Sequence, residues 1–154
     1  MKKIILFILV IMWMGIIFCF SSFSKEESLG QSNGLIYNTI CKIVELFDKN
    51  MTVAKRDNIA KTLSYPVRKL AHITEFLILC ILVLAYINCF NIDLKSKLIL
   101  TFIICFVYAC SDEIHQIFSN RGASFIDVII DSIGVTIYLI GYYIFNKKRR
   151  ILND

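Results

Sequence analysis

Four stretches of this 154-residue chain are each long and apolar enough to cross a lipid bilayer, and no other feature constrains its fold as tightly. Spanning about 30 Å of hydrocarbon takes about 20 mostly apolar residues in a helix. The candidates are residues 4–23, 70–90, 98–118 and 125–145, the first opening with an unbroken apolar run from Ile4 to Phe20. Within lipid every backbone N–H and C=O must be satisfied inside the segment, which leaves helices. The expectation is an all-α integral membrane protein: one domain over residues 1–154, a bundle of four transmembrane helices with a helical outer loop over 24–69. The composition agrees, with 57% hydrophobic and only 19% charged residues, against about 25% charged in ordinary globular domains. The net charge of +5 does not mark a nucleic-acid binder, since no basic stripe is interleaved with exposed aromatics.

The amino-terminal run exceeds the usual signal-peptide core of about 7 to 15 residues, and no A-x-A site follows it. Phe18 before Cys19 is also wrong for a lipoprotein site, so this segment reads as the first span. Five of the six cysteines (Cys19, Cys80, Cys89, Cys105 and Cys110) lie inside apolar runs and read as small hydrophobes. No CxxC pair or zinc-type Cys/His spacing occurs.

Basic residues flank the spans on one side: Lys2 and Lys3, then Lys95 and Lys97, then Lys147, Lys148, Arg149 and Arg150, against only Asp93 and Asp154. The positive-inside rule makes that side, with both termini, cytoplasmic in a multi-pass cell-membrane protein. In the outer loop, Ile36, Ile40, Ile43 and Phe47 recur at helical spacing. They predict a short amphipathic helix that lies on the membrane or caps the outer ends of the spans. A second helix is expected over Asn50 to Tyr65, ending there because Pro66 disfavours helical geometry at the residue before it.

With that topology, the embedded polar residues gather at one depth. Span one ends in Ser21, Ser22 and Ser24; span two begins with Arg68, Lys69, His72 and Glu75; span three ends with Ser111, Asp112, Glu113, His115 and Gln116; span four begins with Ser124, Asp127 and Asp131. Arg68, His72 and Glu75 share a helical face, as do Tyr108, Asp112 and His115, and as do Ser124, Asp127, Asp131 and Gly134. Ionised groups facing lipid cost several kcal/mol. The faces should therefore turn inward and pair, with Gly134 allowing close backbone approach. Five carboxylates (Glu75, Asp112, Glu113, Asp127 and Asp131) stand against Arg68, Lys69 and Arg121. Protons on carboxylates, protonated His72 and His115, or a metal ion must make up the difference.

The run Arg68-Lys69-Leu70-Ala71-His72-Ile73-Thr74-Glu75-Phe76 resembles the R-K-x-A-H-x-x-E-aromatic motif of the VanZ-like family. Asp112-Glu113-Ile114-His115-Gln116-Ile117-Phe118, followed by Arg121, Ser124, Asp127, Asp131 and Gly134, is similar to that family's D-E-x-H-Q-x-F, R, D and G series. Ser21-Ser22 resembles its paired serines. The chain departs from the pattern at Phe76, where Tyr is frequent, at Phe23, where Gln is common, and in a turn before Arg121 that lacks Pro-Gly. The resemblance implies a small bacterial membrane protein whose family namesake is associated with resistance to the glycopeptide teicoplanin.

Several functions fit these residues. A membrane hydrolase or transferase acting on a lipid-linked or cell-envelope substrate would hold a phosphate or carboxylate with Arg68, Lys69 and Arg121, helped by Gln116, Ser124, Asp131, Ser21 and Ser22. His72 or His115 would be base or nucleophile, oriented by Glu75, Asp112, Glu113 or Asp127. A binding module would use the same cations without turnover and shield the glycopeptide target. A salt-bridge network would only hold the helices together. The cofactor is open: two histidines with carboxylates suit zinc or manganese, but their spacing is not diagnostic. Membrane lipids or a lipid-linked envelope precursor are the expected partners, and the sequence sets no oligomeric state.

Overall fold

The computed structural model describes residues 1–22, 35–48, 51–118 and 124–153. Five helices account for nearly all of them: α1 Lys2–Ser21, α2 Leu35–Phe47, α3 Val53–Ile87, α4 Leu94–Phe118 and α5 Phe125–Asn153. Four of these, α1, α3, α4 and α5, are long and apolar enough to span a bilayer. The third starts earlier than expected, at Leu94, because Asp93 supplies a cap there. Its Oδ2 accepts the Ser96 N–H (2.9 Å) and its Oδ1 the Ser96 hydroxyl (2.6 Å). The fourth runs past residue 145 to Asn153.

The largest correction concerns Pro66. The helix expected to end at Tyr65 and the span expected to begin at Leu70 are one uninterrupted 35-residue helix with Pro66 inside it. A proline in a helix interior costs about 3 kcal/mol, but both flanks of this one are anchored. Upstream, Ala60 and Ser64 are fully buried; downstream, Phe76, Leu79, Cys80, Val83, Leu84 and Ile87 are at most 2% exposed. The Thr62 and Ser64 hydroxyls donate to the carbonyls of Asn58 (2.8 Å) and Ala60 (2.6 Å) just ahead of the ring. Residues 53–69, expected to belong to the loop, thus continue the second membrane helix.

α3 is the hub of the bundle, touching α1, α2, α4 and α5, while α4 and α5 also pack together and α1 reaches α4. The core is a seam of stripes, Val10 and Ile17 from α1, Phe76 to Ile87 from α3, Cys105 and Ala109 from α4, and Val128, Val135 and Leu139 from α5. Gly134 lets α5 approach α3 closely, as the sequence suggested. A Cβ there would sit 2.7 Å from the Ile73 carbonyl oxygen.

α2 forms as expected, but its buried face is turned to one side of the expected one, sharing Ile40 with it. Tyr37 and Ile40 are buried against Ala60, with Cys41 and Val44 packed beside them, whereas Ile43 and Phe47 are exposed. The Tyr37 hydroxyl decides this rotation by donating to Asp57 Oδ1 at 2.5 Å. Burial of the ring beside the α3 backbone then follows. Among the described elements α2 touches α3 alone, so it braces the upstream part of that helix rather than capping the span ends.

Candidate functional site

Toward the end of the bundle opposite the chain termini, the core stripes turn polar without leaving their register. On α3 the stripe of Phe76, Leu79 and Val83 is continued by His72, four residues before Phe76. On α4, Thr101, Cys105 and Ala109 lead into Asp112 and Gln116, and on α5, Val128 and Val135 flank Asp131. His72 is 8% exposed, Asp112 3%, Glu113 5%, Gln116 4% and Asp131 2%. Groups of this type so deep in a membrane bundle are expensive unless they satisfy one another.

Asp112 is the best-anchored. Its Oδ2 accepts the Ser21 hydroxyl at 2.7 Å and the Gln116 side-chain N–H at 2.9 Å. Gln116 also approaches Ser21 Oγ and receives Arg68 Nη2 on its Oε1, each at 3.5 Å, so it links α1, α3 and α4. Charge-assisted hydrogen bonds of this kind are shorter and stronger than neutral ones. Ligand atoms of His72, Asp112 and Asp131, on three different helices, all lie within 4.8 Å of one another. Two carboxylates at that spacing, both ionised, repel by about 3 kcal/mol or more at an effective dielectric of about 20.

Glu75 lies one turn along α3, its Oε2 3.4 Å from His72 Nδ1. Lys69 forms an ion pair with Asp127, both half-buried. Glu113 reaches the start of α5, accepting the Ser124 backbone N–H at 3.0 Å. The Ser124 carbonyl in turn accepts the N–H of Asp127 at 2.8 Å. Negative charge at that helix N-terminus is favourable, since the first N–H groups there lack intrahelical partners.

The expected shared face of Tyr108, Asp112 and His115 is turned toward α1. Tyr108 donates to the Met14 carbonyl at 2.5 Å, Asp112 holds Ser21, and His115 Nε2 lies 3.0 Å from Ser22 Oγ. His115 therefore stands at the rim with an exposed serine, not in the buried group with His72. Arg121, with Ser24, lies outside the described residues. Every other residue expected at the site belongs to one of these connected groups.

Two participants escaped the sequence reading. Phe18 stacks on His115 with ring centroids 4.0 Å apart and accepts the Ser22 hydroxyl on its carbonyl at 2.7 Å. The signal was its position four residues before Ser22, on the same helical face. Trp13 donates its indole N–H to the Glu75 carbonyl at 3.0 Å. An indole donor in a membrane span needs such a partner, and Trp13 is the chain's single tryptophan.

A shallow groove of about 340 Å³ opens between α4 and α5, lined by Phe102, Phe106, Ile129, Ser132, Ile133, Thr136 and Ile137. Most of its wall is apolar, and on α5 it runs from Ile129 to Ile137, away from the polar end. Chemically the end of the bundle combines two half-buried cations, a rim Ser/His pair, a buried His/Asp/Asp group and an adjoining apolar groove.

Neither the curated proteins nor the solved structures include a match to this chain. A scan against protein-family models matches residues 6–146 to the family described as VanZ/LLP1. That match takes in all four membrane helices and every group described above, and the chain belongs to the VanZ/LLP1 family.

Proposed function

We propose that this VanZ-like membrane protein binds the phosphate or carboxylate head group of a lipid-linked cell-envelope precursor at the outer leaflet and acts on it as a hydrolase or transferase. The observation that carries the reading is the rim pair, His115 Nε2 at 3.0 Å from the exposed Ser22 hydroxyl, at the same end of the bundle as Arg68, whose Nη2 reaches Gln116 at 3.5 Å, and Lys69, which pairs with Asp127. The Ser22 hydroxyl, which donates to the Phe18 carbonyl, turns to His115, which takes its proton as the oxygen attacks the phosphorus or carbonyl carbon and returns that proton to the leaving group as its bond breaks, while Arg68 and Lys69 hold the anion. The α4–α5 groove supports a lipid substrate, because an acyl chain lying in it would bring the head group to the polar end. The placement at the outer leaflet is supported by the basic residues at the other end of the helices, Lys2, Lys3, Lys95, Lys97 and Lys147 to Arg149. Altering or occupying envelope precursors there would lower their access to teicoplanin, in keeping with the family namesake.

The test is protein reconstituted in vesicles with an isotope-labelled lipid-linked precursor, followed by mass spectrometry. Product from wild type and none from His115→Ala, at equal folding and membrane level, is the expected result. Saturable binding without product would replace the enzyme by a binding module that shields the precursor. If neither binding nor product is seen, and charge removal at Arg68 only destabilises the bundle, the polar end is a structural network and the proposal fails.

A further inference from the structure

We propose that His72, Asp112 and Asp131 form a binding site for a single divalent transition-metal ion of the manganese, iron or zinc class. The site goes beyond the head-group reading and does not depend on it.

The three residues come from α3, α4 and α5, and their ligand atoms lie within 4.8 Å of one another. Metal–ligand bonds of about 2.0 to 2.2 Å place neighbouring ligands of a tetrahedral site about 3.4 Å apart. The set, already within 4.8 Å, therefore has to contract by no more than about 1.4 Å to close on an ion. One imidazole nitrogen and two carboxylates form a mixed donor set that suits this class of metal better than a purely oxygen-loving ion. Charge points the same way: a neutral imidazole and two carboxylates carry the two negative charges that a divalent cation neutralises.

The second, independent observation is Asp131. Its side chain is 2% exposed, yet among the described residues it accepts no hydrogen bond and forms no ion pair. A buried carboxylate in that state, directed at a histidine and a second carboxylate, is a ligand in search of a cation. The surroundings are those of a supported metal site. Ser21 and Gln116 fix Asp112 through its Oδ2, and Glu75 stands 3.4 Å from His72 Nδ1, where a carboxylate orients a ligating imidazole.

The experiment uses the full-length, untagged protein in detergent micelles, stripped with a chelator, loaded separately with manganese or zinc chloride and desalted. About one ion per chain is expected to remain on wild type. Asp131→Asn and His72→Gln are expected to weaken retention more than tenfold, while His115→Ala retains the ion. The chain has two histidines, so pulsed electron paramagnetic resonance of the manganese-loaded protein should show nitrogen coupling in wild type and in His115→Ala alike. Wild type that retains neither metal, or Asp131→Asn and His72→Gln that retain as much as wild type, would overturn the site. Should those variants fail to fold, absence of nitrogen coupling in wild type and His115→Ala would overturn it equally. Lipid binding measured on the stripped protein scores the head-group reading separately.

Discussion

Replacing each of three helical glycines by alanine turns the close approach of α3 and α5 into a number. At Gly15 and Gly141 an added Cβ meets nothing within 4 Å. There alanine should stabilise by about 0.5 to 1 kcal/mol, through the smaller conformational freedom lost on folding. At Gly134 the same methyl would lie 2.7 Å from the Ile73 carbonyl oxygen, 3.1 Å from Ile73 Cγ2 and 3.3 Å from Leu77 Cβ. The first contact is backbone, which no side-chain rotation relieves, so the helices must part by about 0.7 Å to reach an ordinary 3.4 Å contact. Overpacking of this kind costs about 1 to 3 kcal/mol. Because the three variants share the propensity gain, Gly134→Ala should be less stable than Gly141→Ala by that same amount. Denaturant unfolding in detergent micelles, followed by fluorescence of Trp13, reads the difference directly. The displacement also acts on the site: His72 adjoins Ile73 and Asp131 lies one turn from Gly134. Gly134→Ala should therefore lose metal retention as well, whereas Gly15→Ala and Gly141→Ala keep it. Equal stability of Gly134→Ala and Gly141→Ala would refute the packing argument.

Three further outcomes follow from other contacts. Ser21→Ala removes a buried donor from Asp112, and unfolding in micelles should show a loss of about 1.5 to 3 kcal/mol, with a smaller loss pointing to Gln116 alone as the anchor. The Tyr37 hydroxyl has its pKa pushed above its ordinary value of 10.0, chiefly by its hydrogen bond to Asp57. Its stabilisation of the α2–α3 contact is fully present below that pH and is lost as pH rises beyond it. Spin labels at positions 42 and 61 should then separate above about pH 10 in wild type, whereas Tyr37→Phe should show no such pH step. Ile133→Trp, projecting into the α4–α5 groove, should weaken vesicle-presented lipid binding while leaving metal retention intact; unchanged lipid affinity would remove the groove from the substrate path.

The four spans were readable because a bilayer demands long apolar helices and tolerates little else, so the sequence pattern and the physical requirement coincide. The gathering of His72, Asp112 and Asp131 at one end was readable too, from span direction alone. Their mutual approach was not, because it depends on how three helices rotate against each other, and the residues are separated by 40 and 19 positions. The same limit applies to His115: spacing put it on the Asp112 face, but only packing shows that this face meets α1 and pairs it with Ser22. Pro66 misled for another reason. The bias against helical geometry before proline is local, and burial on both sides of residues 65 and 66 overrides it. In α2 periodicity marks a broad apolar arc around Ile40 but leaves open which edge of it is buried. Tyr37 and its bond to Asp57 choose it, a tertiary contact with no trace in the hydrophobic pattern.

The unbroken α3 also has a mechanical meaning. At about 1.5 Å per residue its 35 residues extend about 52 Å, well beyond the about 30 Å of hydrocarbon. The brace at Asp57 lies about 22 Å along this rod from His72. A jointed connection would absorb any push on α2 in the joint. A continuous helix with Pro66 between the two points passes on the part of a push at Tyr37 that does not bend it there, and that part arrives at His72 as tilt.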